Sequence, residues 1–179
     1  MASVVFFRAV NVGGHQKFQP SVLAKQLSAF GVINLGAAGT LIVRENVSRT
    51  KLHDEIFRRL PFKPELMICS AREVLELARG EPFGEPPAGQ EAQRFVSVLQ
   101  KVPRPAPPLP LEQPAGDKWE LQVVAIVGKF ALSFRRPGPK DVYPNAVIEK
   151  QLGMPATTRN WNTIETICEL LKKPTICPR

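Results

Sequence analysis

Residues able to do chemistry gather in two short stretches of this chain. One is Ala156-Thr157-Thr158-Arg159-Asn160-Trp161-Asn162-Thr163, which sets hydroxyls, amides, a guanidinium and an indole directly before an apolar-periodic run. That run, Ile164, Ile167, Cys168 and Leu171, marks one face of a helix. Asn162, with Glu165 three positions on, reads as a capping-box start in which the Asn side chain serves the free first-turn amides. A helix N-terminus carries partial positive charge, so with Arg159 beside it the stretch can hold an anion. The plainer alternative is a helix cap with Trp161 as a core anchor.

The other stretch is Arg8, Asn11, Gly13, Gly14, His15 and Lys17. Paired glycines permit positive φ and close backbone approach to a ligand, while Arg8 and Lys17 supply charge. Its plainer alternative is a glycine turn leaving a strand. The functional reading joins both stretches at a domain junction around a small anionic ligand. Arg8 and Arg159 are the charge partners in that reading. Asn11, Gly13, Gly14, Lys17, Thr158, Asn160, Asn162 and Thr163 complete the set.

Several chemistries have no support. The phosphate-loop spacing and Gly-x-Gly-x-x-Gly are both absent, so neither nucleotide triphosphate nor dinucleotide binding is expected, and no cofactor is implied. No Ser-His-Asp grouping or nucleophile elbow is found, and His15 and His53 read as surface residues. Whether the chain is an enzyme stays open. Cys69, Cys168 and Cys177 are scattered and form no Cys-x-x-Cys pair, so neither a metal site nor a disulfide framework is expected. Cys69, at the end of an apolar strand, reads as a small buried hydrophobe.

A net charge of +8 raises attraction to any polyanion, but the basic residues come as separate doublets, Arg58-Arg59, Arg135-Arg136 and Lys172-Lys173. Nonspecific nucleic-acid binding is therefore the alternative to the small-ligand reading. No apolar run reaches the ~18 residues that would span a bilayer, and the N-terminus lacks a basic segment or cleavage site. The expectation is a cytoplasmic protein with no membrane partner.

The elements that must position these residues follow from periodicity. Val4–Phe7 reads as a strand, Pro20–Phe30 as a helix stopped by Gly31, and Val32–Leu35 and Leu41–Arg44 as two strands. Ser48 caps a helix carrying Leu52, Ile56 and Leu60; Leu66–Cys69 is a strand, and Ser70-Ala71-Arg72-Glu73 opens a short helix. This β-α-β-β-α-β order is ferredoxin-like and sets the first domain at residues 1–80. An RNA-binding module shares the order. The strand Thr40–Val43 offers no aromatic for stacking, so RNA recognition is disfavoured.

Residues 81–179 read as a second, smaller α+β domain with a Pro-rich insertion at 102–117 that is neither helix nor central strand. Arg104-Pro105-Ala106-Pro107-Pro108-Leu109-Pro110 fits a polyproline recognition pattern, which makes a protein-interaction module a third function class; a stiff linker explains it more simply. Phe95–Gln100 is a strand. Trp119–Val127 and Lys129–Phe134 form a hairpin about Gly128, with Phe130, Leu132 and Phe134 on one face of a half-buried strand. A helix near Asn145–Leu152 precedes the polar stretch. No residue-level repeat links the halves.

At Arg8-Ala9-Val10-Asn11-Val12-Gly13-Gly14, and again from Ile148-Glu149-Lys150-Gln151-Leu152-Gly153-Met154-Pro155 through Thr163, the chain resembles the bacterial domain-of-unknown-function family numbered 1697. The resemblance covers nearly the whole length. It implies a pair of ferredoxin-like α/β-plait domains and no activity. Relatives place Ser-Gly-Asn where this chain has Ala38-Gly39-Thr40, and Arg-Ser-Lys where it has Lys140-Asp141-Val142. The Pro-rich stretch stands where relatives are often helical. The implied member is a diverged binder or an inactive one.

Overall fold

Val4-Val5-Phe6-Phe7 is apolar at every position, the pattern of a strand covered on both faces. In the computed structural model it lies inside a sheet and is buried throughout. The structure describes residues 1–10, 18–86, 92–138 and 143–173. The chain forms two compact units, Met1–Glu76 together with the chain from Thr166, and Leu77–Glu165.

The first unit runs β1 (Ser3–Arg8), α1 (Pro20–Gln26), β2 (Val32–Asn34), β3 (Thr40–Val43), α2 (Arg49–Arg59), β4 (Glu65–Ser70) and α3 (Ala71–Leu77). Its strands lie in the order β2-β3-β1-β4, every neighbour antiparallel. Val5 and Phe7, alternate residues of β1, pack with Leu41 and Val43 of β3 against Leu23 and Leu27 and against Leu52 and Ile56. The two leucine–aliphatic pairs are spaced by four, so each helix presents one face to the sheet.

Local signals act where they were read. Ser48 Oγ accepts from the Lys51 amide at 3.2 Å, capping α2. Ser70 and Glu73 form a reciprocal box: Ser70 N–H donates to Glu73 Oε2 at 2.7 Å and Glu73 N–H donates to Ser70 Oγ at 3.2 Å. The first helix is shorter than periodicity suggests. It ends as an α-helix at Gln26, and Ser28–Phe30 is a 3-10 turn before Gly31 at φ 59°. The tighter turn delivers the carbonyls of Phe30 and Gly31 to the amides of Glu45 (3.1 Å) and Arg44 (3.3 Å), tying the turn to the end of β3.

Gly39 is required by close approach. Its φ is +68°, and a Cβ there would stand 2.7 Å from Phe7 Cβ and 2.9 Å from a Val10 methyl. Its carbonyl accepts from Phe7 N–H at 2.8 Å, so the turn before β3 lies directly on the core strand.

The second unit runs β5 (Gln93–Leu99), β6 (Leu111–Gln113), β7 (Leu121–Val127), β8 (Phe130–Arg135), α4 (Pro144–Leu152), β9 (Ala156–Asn160) and the first turn of α5 (Trp161–Lys172). Its sheet has the order β6-β7-β8-β5-β9, again antiparallel. Without β6, that order repeats the first unit strand for strand, and the Pro-rich crossover stands where α1 stands. β6 arises inside the Pro-rich segment as an edge strand, the position where missing N–H donors cost least.

Two expectations need correction here. β8 is not half-buried: Phe130, Leu132 and Phe134 are buried on one face, and Ala131 and Ser133 on the other. Strands on both sides and α4 above leave it no solvent face, since Ala131 packs with Leu99, Ile148 and Ala156. The polar stretch from Ala156 is not a pre-helix loop; Ala156–Asn160 is a strand paired with β5. β-branched Thr157 and Thr158 suit that pairing although no apolar alternation announces it. The chain from Thr166 groups with the first unit. Within the first unit, the Arg44 guanidinium donates to the Leu170 and Lys173 carbonyls at 2.8 Å each, placing a cation at the C-terminus of α5. Cys168 Sγ lies 3.8 Å from the Val74 carbonyl.

Candidate functional site

Because Ala156–Asn160 is a strand, its side chains divide between two faces. The register pairs Ala156 with Leu99, Thr157 with Val98, Thr158 with Ser97, Arg159 with Val96 and Asn160 with Phe95. Thr158 and Asn160 therefore point to the side covered by α4, and Thr157 and Arg159 to the opposite side. The expected cluster is split by the period of the strand.

On the α4 side, Ile148 packs on Leu99, Ala131 and Ala156, and Glu149 accepts from the Ala156 amide at 2.8 Å. Toward the start of α4 the same face turns polar. Ser97 Oγ lies 2.6 Å from Thr158 Oγ1, and the Thr158 hydroxyl donates to Asn145 Oδ1. Thr158 has one proton and gives it to Asn145, so Ser97 is the donor to Thr158. The chain of bonds has one direction and ends on an amide oxygen.

Ser133 lies on this face as well. Register sets it opposite Phe95 and sets Ala131 opposite Ser97, so Ser133 is diagonal to Ser97 across the β5–β8 pair. It is fully buried, and its hydroxyl has no hydrogen-bond partner among the described residues. A buried unsatisfied hydroxyl costs about 1–3 kcal/mol. The start of the nine-residue helix α4, tied to β9 through Asn145, lacks a side-chain cap from Tyr143, and Pro144 has no N–H. The amides of Asn145 and Ala146 precede the first intrahelical bond. Arg135, on the same side, lies with its guanidinium 5.0 Å over the Phe95 ring and donates to Gln93 Oε1 at 2.5 Å.

On the other face Arg159 is 8% exposed. It donates to Thr157 Oγ1 at 2.9 Å and to the Thr158 carbonyl at 2.8 Å. Burial pushes its pKa down to about 10, so it stays charged at neutral pH at a desolvation cost. Asn160, not Asn162, begins the last helix: its Oδ1 accepts from the Asn162 amide at 2.9 Å, and Trp161 is the first helical residue. The helix starts two residues earlier than periodicity places it because Trp161 is itself buried, edge-on to Phe83 at 5.1 Å. Thr163 is half-buried in the first turn.

Arg8, in the first unit, closes β1 and donates to Glu65 Oε2 at 2.9 Å, its register partner on β4. Ala9 follows with φ 53°, a conformation that disfavours any residue with a Cβ. Asn11, Gly13, Gly14, His15 and Lys17 lie outside the described residues, as do Lys140-Asp141-Val142 and Cys177. Among the described residues, no group of three His, Cys, Asp or Glu side chains is placed to hold a metal. Among them also, no helix is long and apolar enough to cross a membrane. Phe130 and Phe134 are buried, as the core reading of that strand face expects.

Sequence reading found Thr158 and missed Ser97, Ser133 and Asn145. The signal for the serines is a lone hydroxyl in the middle of an apolar strand, Phe95-Val96-Ser97-Val98-Leu99 and Phe130-Ala131-Leu132-Ser133-Phe134. Nothing in the sequence says that the two hydroxyls share a face.

Comparison with curated proteins finds no match. Among solved structures, the chain is similar to the conserved bacterial protein SP0830 from Streptococcus pneumoniae. The TM-score is 0.61 at 16% identity, over 96% of this chain and 98% of that one, which shows a shared fold. The model of the family described as protein of unknown function DUF1697 matches residues 1–127, and the chain belongs to that family.

Proposed function

We propose that this protein binds a small anionic ligand on the α4 side of its second unit. The observation carrying the reading is a buried hydroxyl, Ser133, without a partner among the described residues, on the face that also holds an uncapped helix start. Unused donors at the positive end of a helix favour negative charge. The +8 net charge draws anions toward the protein without choosing among them. Arg8 and Arg159 are not needed for it, since Glu65 and the β9 hydroxyl and carbonyl groups account for the bonds described above.

Both units read as ferredoxin-like plaits, the repeated order β2-β3-β1-β4 and β7-β8-β5-β9 being the support. Buried thiols outside any disulfide, at Cys69 and Cys168, suit a reducing, cytoplasmic setting in a bacterium.

Isothermal titration at low ionic strength with acetate, sulfate and inorganic phosphate tests the ligand reading. Saturable binding of at least one anion is expected in the native chain. Thr158→Val, which unties Asn145 from the sheet, should weaken it. A protein that binds none of them at millimolar concentration sinks the reading.

A further inference from the structure

The geometry points to another binding site, in the first unit, for a small carboxylate with an apolar body. It is separate from the anion site proposed beside α4, and neither depends on the other.

Gln19, Val22, Leu23 and Gln26 are spaced by three, one and three, so they share one face at α1. Leu23 packs into the core, but Val22 beside it is 45% exposed. The α2 helix stops at Arg59, and Leu60 turns extended, as the residue before Pro61 must. That face and that stop line one cavity of about 280 Å³. Phe18 lines it too, held by ring contacts with Phe7 at 5.1 Å and Phe62 at 6.1 Å. At the volume a water takes in the liquid, the cavity has room for roughly nine waters, or one molecule of about ten non-hydrogen atoms. That is the size of a single small acid, and too small for the face of a partner helix or strand.

The lining also selects the chemistry. Phe18, Val22, Leu60 and Pro61 offer apolar surface to a hydrocarbon body. The exposed amides of Gln19 and Gln26 can donate or accept, so they discriminate little. Arg59 does discriminate, because a guanidinium only donates. Its Nη1 donates to the Glu55 carbonyl at 2.8 Å and to the Glu55 carboxylate, which fixes the side chain. Its Nε and Nη2 have no partner among the described residues. Arg58 donates to the same carboxylate, so the three groups leave one net positive charge, which offsets the negative end of α2. A fixed guanidinium with open donors matches a carboxylate. A bare inorganic anion would leave the apolar walls uncovered, and an uncharged molecule would leave the guanidinium unmatched.

The test is isothermal titration of the full chain with phenylacetate, 2-phenylethanol and acetate, repeated on V22W and R59M, with thermal melts of each protein. Val22→Trp fills the cavity from an exposed helix position, and its helix propensity is close to that of valine. Arg59→Met keeps the aliphatic stem and removes the donors. Phenylacetate is expected to bind about tenfold or more tighter than 2-phenylethanol, the worth of one charge-assisted hydrogen bond, and tighter than acetate by a similar factor. V22W should lose about tenfold or more in phenylacetate affinity while melting close to the native chain. R59M should lower phenylacetate to the affinity of 2-phenylethanol and leave 2-phenylethanol unchanged, a split that loss of structure would not give.

Phenylacetate binding no tighter than acetate overturns the apolar cavity as the site. Binding of 2-phenylethanol as tight as that of phenylacetate overturns the carboxylate assignment. Phenylacetate affinity unchanged in V22W places the acid elsewhere and overturns the site, whether or not R59M folds.

Discussion

Arg159 shows how far a residue's type can mislead about its role. In sequence it is the obvious cation beside a helix start. In the structure it is buried, bonded to Thr157 Oγ1 and the Thr158 carbonyl, and directed away from Thr158 and Asn160. Arg159→Ala is expected to destabilise the chain by about 1–3 kcal/mol in urea denaturation, through a cavity and a stripped hydroxyl. Phosphate titration should be unchanged. Unaltered stability with lost binding would return Arg159 to the ligand site. The pH dependence has a definite sign. Its folded pKa is about 10, below that of the ordinary guanidinium, so from there up to the ordinary value the unfolded chain holds more protons and this residue's contribution to stability rises with pH. Near neutral pH the group is charged in both states and its contribution is flat.

Elements with local caps were legible almost to the residue. Ser48 at α2 and the Ser70/Glu73 box at α3 are cases where a side chain two or three residues away satisfies an orphan amide, so the signal is contained in a four-residue window. Ser70→Ala should cost about 1 kcal/mol in chemical denaturation and leave anion binding intact; no loss would show that Glu73 alone holds the helix start. β9 was not legible. Thr157, Thr158, Arg159 and Asn160 form no apolar alternation, and the strand exists because β5 offers an edge whose amides and carbonyls pair with it. The Pro-rich crossover was read correctly as neither helix nor central strand, but its three-residue edge strand depends on β7, which follows it in sequence.

At the scale of the molecule, two units repeat one antiparallel strand order with no residue-level repeat to announce it. What conserves such an order is the alternation of buried positions and the antiparallel pairing, which many sequences satisfy. Ligand binding acts at this scale as well. If phosphate occupies the second unit at a hundred times its Kd, the folded state gains about 2.7 kcal/mol, and the melting temperature should rise by roughly 5–10 °C. Thermal melts against phosphate concentration check this. A shift matched by chloride at equal ionic strength would reduce it to charge screening of the +8 chain.

The sequence by itself determined the α+β class, the order of the first unit's elements, their caps, and the burial of Phe130 and Phe134. Each of these depends on spacing within one element or on side-chain burial, which periodicity records. Tertiary structure alone decided that Ser97, Ser133, Thr158 and Asn145 share one face, and that Arg159 does not join them. Those four residues come from three strands and a helix. Their meeting depends on inter-strand register, where a shift of one residue would send every side chain to the opposite face.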